Sequence, residues 1–267
     1  MPSPTASSLP SSDLIRVANA LADAARPETL RHFRAAEQGL ESKGDDFDPV
    51  TDADRGAERA MRALLARERP DDAILGEEFP DVPGTTGLTW VLDPIDGTRG
   101  YIAGTPTWGV LIAVSDHTGP ILGVVDQPYI GERFLGGLGT AQVTGPLGER
   151  ELGTRKTASL DEAILFTTFP EVGTPADRVA FERVAARAKL TRYGMDCYAY
   201  ALIAAGQVDL VIETGLQPYD ICAPIAVIEA AGGIVTDWDG KPAHGGGRAL
   251  AASNPEIHAQ ALELLRA

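Results

Sequence analysis

The stretch WVLDPIDGTRGY, residues 90–101, constrains the fold more than any other part of the chain. Residues 90–92 are apolar and predict a buried strand. Because the residue before a proline disfavours the α region, Asp93 before Pro94 should end that strand. Residues 96–98 then predict a tight turn that opens a short helix, and the free backbone N–H groups of such a turn form a seat for a phosphate.

Two carboxylates, Asp93 and Asp96, therefore lie beside an expected anion seat. Mg²⁺ typically takes a few carboxylate ligands and leaves its other positions to water and substrate phosphate. Asp-Pro and Asp-Gly are also ordinary dipeptides of surface turns, so this pair alone leaves both interpretations open. Acids elsewhere in the chain have to decide between them.

The chain has 267 residues, which is enough for one compact unit of two halves. We expect an N-terminal α+β half over residues 13–150 with most of the metal ligands, and a C-terminal α/β half over residues 151–267. A Gly-rich hinge around residues 136–153 should separate them. Residues 1–12 are rich in Ser and Pro and predict a disordered leader, not a signal peptide.

Charge and cysteine content exclude several classes of protein. Lys and Arg number 23 against 38 Asp and Glu, so the net charge is −15, which argues against binding nucleic acid or an anionic membrane. Apolar runs are too short to span a bilayer. Cys197 and Cys222 form neither a C-x-x-C motif nor a Cys/His cluster, so no zinc site or disulfide framework is indicated, and a cytoplasmic location fits.

Helical spacing of apolar residues predicts helices over residues 13–39, with a possible break at Pro27, and from about residue 51 to 69. Strand patterns in this half cover residues 73–75, 90–92, 108–114, 121–125 and 133–135. After the hinge, strands and helices alternate, which favours a largely parallel sheet. The strands cover residues 163–167, 191–193, 209–212, 234–236 and 249–252, and the helices cover residues 175–188, 198–205, 220–231 and from 256 onwards.

Five acids fall at the ends of these elements and suggest a shared site. Like charges a few ångströms apart raise one another's pKa or require cations, and two or three Mg²⁺ ions would supply that charge. Attack of a metal-activated water on a phosphate ester is the simplest chemistry, with Thr98 holding the water and Asp54 taking its proton. On local sequence alone, Asp54 could instead serve only the helix dipole. The five acids are Asp54, Glu77, Asp93, Asp96 and Asp220, and Glu213 lies nearby in sequence.

Four motifs in order resemble the inositol-monophosphatase-like family of Mg²⁺-dependent phosphatases, over residues 13 to the C-terminus. They are V-T-x-x-D at residues 50–54, G-E-E at 76–78, D-P-I-D-G-T at 93–98 and Y-D-x-x-A-P at 219–224. Tyr219 departs from the Trp of many members, but both residues are aromatic. The resemblance implies an α/β/α/β/α layered sandwich with the site between the halves. It also implies a homodimer, to which Trp108 and Tyr101 would contribute.

The resemblance further implies the role of each site residue. Glu77, Asp93 and the carbonyl of Ile95 would bind a first metal, and Asp93, Asp96 and Asp220 a second, while a weaker third ion would sit near Glu77. Asp54 and Thr98 would orient the water, and the amides of Gly97 and Thr98 would hold the phosphate. Lys43 falls where the family often has a lysine near the water network.

Residues 193–200, 213–220 and 98–109 resemble the histidinol-phosphate phosphatase branch of the family. Histidinol carries an ammonium group and an imidazole, for which Asp196 and Glu213 would provide charge-assisted hydrogen bonds. Asp196 could instead merely cap the helix expected near Cys197. Inositol-1-phosphate is the alternative substrate, because Glu213 also suits a polyol hydroxyl. An inactive binding protein would have lost a metal ligand, and none is lost here.

Overall fold

The computed structural model describes residues 11–36, 39, 41–42 and 49–267. Lys43 and residues 1–10 of the predicted leader lie outside this set. Helix α1 (Ser11–His32) begins inside the segment predicted as leader, so that boundary was wrong by two residues. Ser11 starts the helix because the buried apolar face begins three residues later, at Leu14.

The first helical layer consists of α1 and α2 (Asp52–Glu68). Helix α1 continues through Pro27, where a break was considered, because its buried face runs on both sides of the proline from Ala25 to Thr29. Thr51 caps α2 in a capping box with Asp54. Between the helices, β1 (Glu41–Ser42) pairs antiparallel with β2 (Pro49–Val50).

A seven-stranded sheet follows in strand order β3-β4-β5-β6-β7-β8-β9. All its neighbours are antiparallel except β3 and β4, which run parallel. Helix α3 (Thr98–Ile102) connects β4 to β5. The strands are β3 (Ala73–Gly76), β4 (Thr89–Asp96), β5 (Gly109–Asp116), β6 (Gly119–Gln127), β7 (Glu132–Gly137), β8 (Thr140–Gly145) and β9 (Gly148–Glu151).

The Gly-rich segment 136–153 was predicted to be a hinge, but it forms the end of β7 and the strands β8 and β9 of this sheet. Its glycines serve the tight turns between them: Gly139 has φ +83° and Gly148 has φ +87°. Hairpin turns need positive φ, which glycine adopts without strain. The composition of a meander's turns was therefore mistaken for that of a linker.

A five-stranded sheet in strand order β11-β10-β12-β14-β13 forms the rest of the chain. Strand β10 runs parallel to β11 and β12, whereas β14 runs antiparallel to β12 and β13, so the sheet is mixed and not largely parallel. No helix crosses over between β13 and β14, which allows the antiparallel pairing. The elements are β10 (Ile164–Thr167), α4 (Pro175–Ala185), β11 (Leu190–Tyr193), α5 (Asp196–Ala204), β12 (Leu210–Leu216), α6 (Pro218–Ala230), β13 (Ile234–Thr236), β14 (Gly247–Ala252) and α7 (Pro255–Arg266).

The two sheets and three helical pairs form five layers. Alternate residues of β5 show this arrangement: Ile112 faces the cluster under α1 and α2, and Leu111 faces the cluster around α5 and α6. Similarly, in β12, Val211 packs towards α5 and α6 and Leu210 towards α4 and α7. The predicted α/β/α/β/α sandwich is confirmed.

Tyr101 and Trp108, which were expected to serve a dimer, are completely buried within the chain. They pack with Phe33, at ring-centroid distances of 5.2 Å from each. Because they are core residues of one chain, this part of the prediction was wrong. Among the helices of the described residues, none combines the length and apolar character that crossing a bilayer requires.

Candidate active site

Asp93 and Asp96 lie on the same side of β4 because the strand carries a bulge. Asp93 pairs with Leu111 and Asp96 with Gly109, so three steps along β4 match two along β5. In a regular strand, residues three apart would face opposite sides of the sheet. The sequence predicted that the strand ends at Asp93, but it continues to Asp96. Pro94, which has no N–H, falls inside the bulge, where no ladder hydrogen bond is lost.

Asp220 approaches from the other half of the chain, in the first turn of α6. Its Oδ2 accepts a hydrogen bond from the backbone N–H of Gln217 at 2.7 Å, which fixes the side chain at the helix start. Carboxylate oxygens of Asp93, Asp96 and Asp220 all lie within 4.8 Å of one another. The fold thus brings together three of the predicted metal ligands.

Burial and mutual repulsion perturb these acids strongly. Burial raises the pKa of Asp93, which is 1% exposed, and the charges of Glu77, Asp96 and Asp220 raise it further. Burial also raises the pKa of Asp220 to about 7, against the backbone hydrogen bond from Gln217. A cation among the oxygens would relieve both effects, and hard carboxylate oxygens are the ligands that Mg²⁺ prefers. The residues present therefore fit this ion.

Glu77 and Ile95 are the other two residues predicted as metal ligands, and they lie beside the ends of the paired strands β3 and β4. Glu77 follows β3, and its backbone N–H donates to the carbonyl of Leu92 at 3.2 Å, which extends the pairing to β4. The Ile95 N–H donates to Asp93 Oδ1 at 3.0 Å. The Ile95 carbonyl accepts from the Thr98 hydroxyl at 3.1 Å, so the carbonyl and the hydroxyl are held together.

Asp54 presents one oxygen that no described hydrogen bond satisfies. Its Oδ2 accepts from the N–H of Thr51 at 2.9 Å and from the Thr51 hydroxyl at 2.5 Å. Its Oδ1 is buried, and none of the residues that the structure describes forms a hydrogen bond with it. Burial raises the pKa of Asp54 to about 7, and the charges of Glu77 and Glu78 contribute. Asp54 is therefore both a helix cap and a carboxylate with an oxygen available to a ligand.

Gly97 forms the turn between β4 and α3 in a conformation that favours glycine, with φ +82°. A Cβ atom at this position would lie 2.8 Å from both Cβ and Cγ of Asp196. Thr98 is the first residue of α3, and the first N–H groups of a helix have no acceptor within it. The turn thus carries the amides predicted to hold a phosphate, with the Asp196 side chain packed against it.

Asp196 does not cap helix α5 in the way considered from the sequence. Helix α5 begins at Asp196 itself, and the carboxylate of Asp96 accepts the N–H of Cys197 at 2.6 Å. Asp196 Oδ2 accepts from the hydroxyl of Thr107 at 3.1 Å. Burial raises the pKa of Asp196, although the Thr107 hydrogen bond and the charge of Arg99 act against this shift.

Glu213 lies within β12, not at its end as predicted, because the strand continues to Leu216. Its Oε1 accepts from the N–H and hydroxyl of Thr168 at 2.9 and 2.5 Å, and its Oε2 accepts from the Tyr200 hydroxyl at 2.9 Å. Burial raises its pKa despite these donors, and the charge of Asp196 adds to the rise.

A cavity of about 510 Å³ lies at the junction of the two sheets and is lined by most of these groups, but not by Asp54, Asp93 or Ile95. Several lining residues were not singled out in the sequence, namely the segment 167–169 with Val172 and Gly173. Residues 214–217, which also line the cavity, lie in the segment 213–220 that resembles the histidinol-phosphate phosphatase branch. The partners Thr107, Thr168 and Tyr200 were also missed, and no motif marks an ordinary Thr or Tyr as one. The predicted residues that line the cavity are Glu77, Asp96, Gly97, Thr98, Asp196, Glu213 and Asp220.

Comparisons with known proteins agree with this architecture. A family model described as the inositol monophosphatase family matches residues 11–267. The bifunctional phosphatase IMPL2, chloroplastic, of Arabidopsis thaliana is 43% identical over 93% of this chain and 74% of its own length. A histidinol-phosphatase of Mycobacterium tuberculosis is 35% identical over 96% of this chain and 99% of its own.

Among solved structures, an inositol monophosphatase from Zymomonas mobilis superposes with a TM-score of 0.84. It is 39% identical, and the match covers 96% of this chain and 98% of that chain. The family resemblance and the similarity to histidinol-phosphatases predicted from the motifs are thus confirmed.

Proposed function

The chain belongs to the inositol monophosphatase family, and we propose that it is a Mg²⁺-dependent phosphatase whose preferred substrate is L-histidinol phosphate. The products would be L-histidinol and inorganic phosphate, a step of histidine biosynthesis. The observation that carries this choice is a pair of carboxylates, the half-buried Asp196 and the buried Glu213, in a cavity that Asp96 and Asp220 of the acidic cluster also line.

The position of Asp196 suits a substrate with an ammonium group close to its phosphate. In histidinol phosphate, two carbon atoms separate the amine from the ester oxygen. The Asp196 carboxylate packs against Gly97, in the turn predicted to hold the phosphate. The ammonium would therefore meet Asp196 while the phosphate rests on the turn, and the hydrogen bond would be charge-assisted.

Glu213 suits the other end of the same substrate. Thr168 and Tyr200 fix its carboxylate, and burial raises its pKa, so a cationic group in the cavity would stabilise its charged form. An imidazole ring that carries a proton is such a group. The carboxylates of Asp196 and Glu213 thus complement the ammonium and imidazolium groups of histidinol phosphate.

The residues of the acidic cluster would each have a defined role. Glu77, Asp93, Asp96, Asp220 and the Ile95 carbonyl would hold Mg²⁺, in the two to three ions that the family resemblance implies. When bound, Mg²⁺ supplies Lewis-acid stabilisation of phosphate charge and lowers the pKa of water.

The attacking water would be oriented by residues of α2 and α3. The Thr98 hydroxyl, held at the Ile95 carbonyl, and the unpartnered Oδ1 of Asp54 would position it, and Asp54 would take its proton. The amides of Gly97 and Thr98 would bind the phosphate oxygens as the ester bond breaks. We extend the proposal to a homodimer in the cytoplasm, without a nucleic-acid or membrane partner.

Inositol-1-phosphate is the second candidate substrate. The buried Glu213 carboxylate could accept a polyol hydroxyl, and the Zymomonas mobilis relative is an inositol monophosphatase. A neutral ring, however, would bring Asp196 no cation in addition to Arg99. Bisphosphates are less suited, because their second phosphate would need further positive charge to neutralise it. Among the residues that line the cavity, Arg99 is the one basic side chain, and Arg192 on strand β11 is not among them.

Phosphate release by the purified protein tests the proposal. L-histidinol phosphate, inositol-1-phosphate and a fructose bisphosphate would be compared with Mg²⁺ and with an EDTA control. We expect kcat/KM to favour histidinol phosphate by about a hundredfold or more, equal to about 2.7 kcal/mol. Equal rates, or a preference for inositol-1-phosphate, would contradict the substrate assignment. Full activity in EDTA would contradict the role of the metal.

A further inference from the structure

A buried carboxylate on helix α2 binds the loop between β3 and β4, residues 77–88, which begins with Glu77. Glu58 lies one turn after Asp54 on the same face of α2, and it is 0% exposed. Its Oε2 accepts the backbone N–H of Glu78 at 2.8 Å, and its Oε1 accepts the N–H of Phe79 at 3.3 Å. Both amides directly follow Glu77 in the chain.

Arg62 completes this attachment from the next turn of the helix. Its Nε donates to Glu58 Oε1 at 2.7 Å. Its Nη1 and Nη2 donate to the carbonyls of Pro80 and Phe79, at 3.0 and 2.9 Å. The pair Glu58–Arg62 therefore binds both donors and acceptors of the loop backbone, which leaves the loop little freedom to shift.

Gly76 allows the loop to approach the helix this closely. A Cβ atom at Gly76 would lie 2.1 Å from Glu58 Oε1 and 2.6 Å from Arg62 Nη2. The strand end thus runs directly over the ion pair. Helix α2 consequently sets two parts of the site at once, Asp54 through the capping box and Glu77 through the loop.

We propose that Glu58 and Arg62 are positioning residues that set the Mg²⁺ affinity of the site by holding Glu77. This inference rests on the proposed function, because it requires Glu77 to be a metal ligand. Residues that orient metal ligands typically change affinity by 10- to 100-fold when they are replaced. A merely structural pair would change stability and leave Mg²⁺ affinity unaffected.

The test compares Glu58→Gln with a matched control, Asp72→Asn, which lies between the end of α2 and the start of β3. Both oxygens of Glu58 accept hydrogen bonds, so a Gln amide would place a donor against a donor on one side. Asp72→Asn creates the same conflict, because Asp72 accepts from Arg69, Thr86 and Trp90. Asp72 lies before β3 and contacts the β3–β4 connection only at Thr86, nine residues after Glu77, among the hydrogen bonds of the described residues. The variant therefore reports the loss of stability without removing the bonds to Glu78 and Phe79.

A second variant, Arg62→Lys, keeps the positive charge but loses the fork that binds two carbonyls. It covers the case in which Glu58→Gln fails to fold. Binding of Mn²⁺, followed by electron paramagnetic resonance of the free ion, and its displacement by Mg²⁺ would give the dissociation constants of the full-length proteins. Thermal melts would give their stabilities.

We expect Glu58→Gln and Arg62→Lys to raise the Mg²⁺ dissociation constant, by about tenfold or more for Glu58→Gln. Asp72→Asn should lower the melting temperature and leave that constant within about twofold. Unchanged affinity in Glu58→Gln, or equal weakening in all three variants, would overturn the inference while leaving the proposed function intact. Absence of Mg²⁺ binding by the wild-type protein would overturn both.

Discussion

The carboxylate of Asp96 accepts a 2.6 Å hydrogen bond from the backbone N–H of Cys197, 101 positions later in the chain. The bond connects the bulged strand β4 of the larger sheet to the first turn of α5, which packs against the smaller sheet. A carboxylate at a helix N-terminus also interacts favourably with the helix dipole. Asp96 is thus fixed from both halves of the fold, and Asp196 is brought beside Gly97 by the same contact.

Asp93→Asn should reduce turnover by more than about a hundredfold. This loss is larger than the roughly 10- to 100-fold loss that is typical when a residue that merely orients a metal ligand is replaced. The fold should persist, because the Asn carbonyl can still accept the Ile95 N–H and the change removes a charge that burial disfavours. Phosphate release and circular dichroism would measure the two effects.

Asp116→Asn is a suitable control for this variant. Asp116 accepts from Thr118 in the turn between β5 and β6, outside the cavity. It should leave turnover within about twofold. Retained activity in Asp93→Asn would show that Asp93 is not a metal ligand.

Asp196→Asn should separate the two candidate substrates. The amide oxygen can still accept from Thr107, so the local packing persists while the charge is lost. Hydrogen bonds to charged groups contribute about 1.5–3 kcal/mol, so kcat/KM for histidinol phosphate should fall by roughly 10- to 150-fold. For inositol-1-phosphate the loss should stay within about threefold. Equal losses on both substrates would make Asp196 a structural residue.

The sequence predicted those parts of the site that depend on local pattern. Asp54 was expected in the first turn of one helix and Asp220 at the start of another, and α2 and α6 place them there. Such relations lie within one turn of chain, so periodicity and capping rules identify them. The fold class followed from the same patterns and from the family resemblance.

Contacts between distant residues could not be read in this way. Thr107 binds Asp196 across 89 positions, and Thr168 binds Glu213 across 45. The bulge that aligns Asp93 with Asp96 is likewise set by pairing with β5. Each of these features depends on which surfaces the completed sheets bring together, and local sequence carries no signal for that.

The metal-free protein should lose stability as the pH rises from about 4 to about 7. Burial raises the pKa of Asp54 and Asp220 from 3.8 to about 7. A raised pKa means that the folded state binds the proton more tightly, so the stabilisation is complete below about pH 3.8 and is lost as the pH passes 7. The lowered pKa of Asp72 and Asp177 acts below this window. The lowered pKa of His258 acts inside it with the opposite sign, as one group against Asp54 and Asp220.

Mg²⁺ should reverse this dependence, because its ligands must be deprotonated to bind it. In EDTA, the melting temperature should therefore fall as the pH rises. The difference between the melting temperatures in saturating Mg²⁺ and in EDTA should grow with pH. A melting temperature that rises with pH in EDTA would contradict the assignment of buried, repelling carboxylates.

Gly97→Ala should combine backbone strain with a steric conflict at the site. The residue has φ +82°, and a Cβ atom would lie 2.8 Å from Cβ and Cγ of Asp196. Left-handed backbone at a non-glycine residue costs about 1–2 kcal/mol, and displacement of Asp196 would add to this. We expect a loss of unfolding free energy above about 2 kcal/mol and a marked fall in kcat/KM for histidinol phosphate.

Gly139→Ala is the matched control for strain alone. Gly139 has φ +83°, and a Cβ atom there would meet nothing within 4 Å. Gly139→Ala should therefore lower the unfolding free energy only by the cost of the backbone strain, and it should keep full activity. Urea unfolding and phosphate release would measure these two quantities. In the double variant Gly97→Ala with Asp196→Gly, the steric part should vanish, so the unfolding free energies should be non-additive. If the two losses of unfolding free energy simply add, the methyl group introduced by Gly97→Ala and the Asp196 side chain do not meet. Asp196 would then not lie against the turn at Gly97.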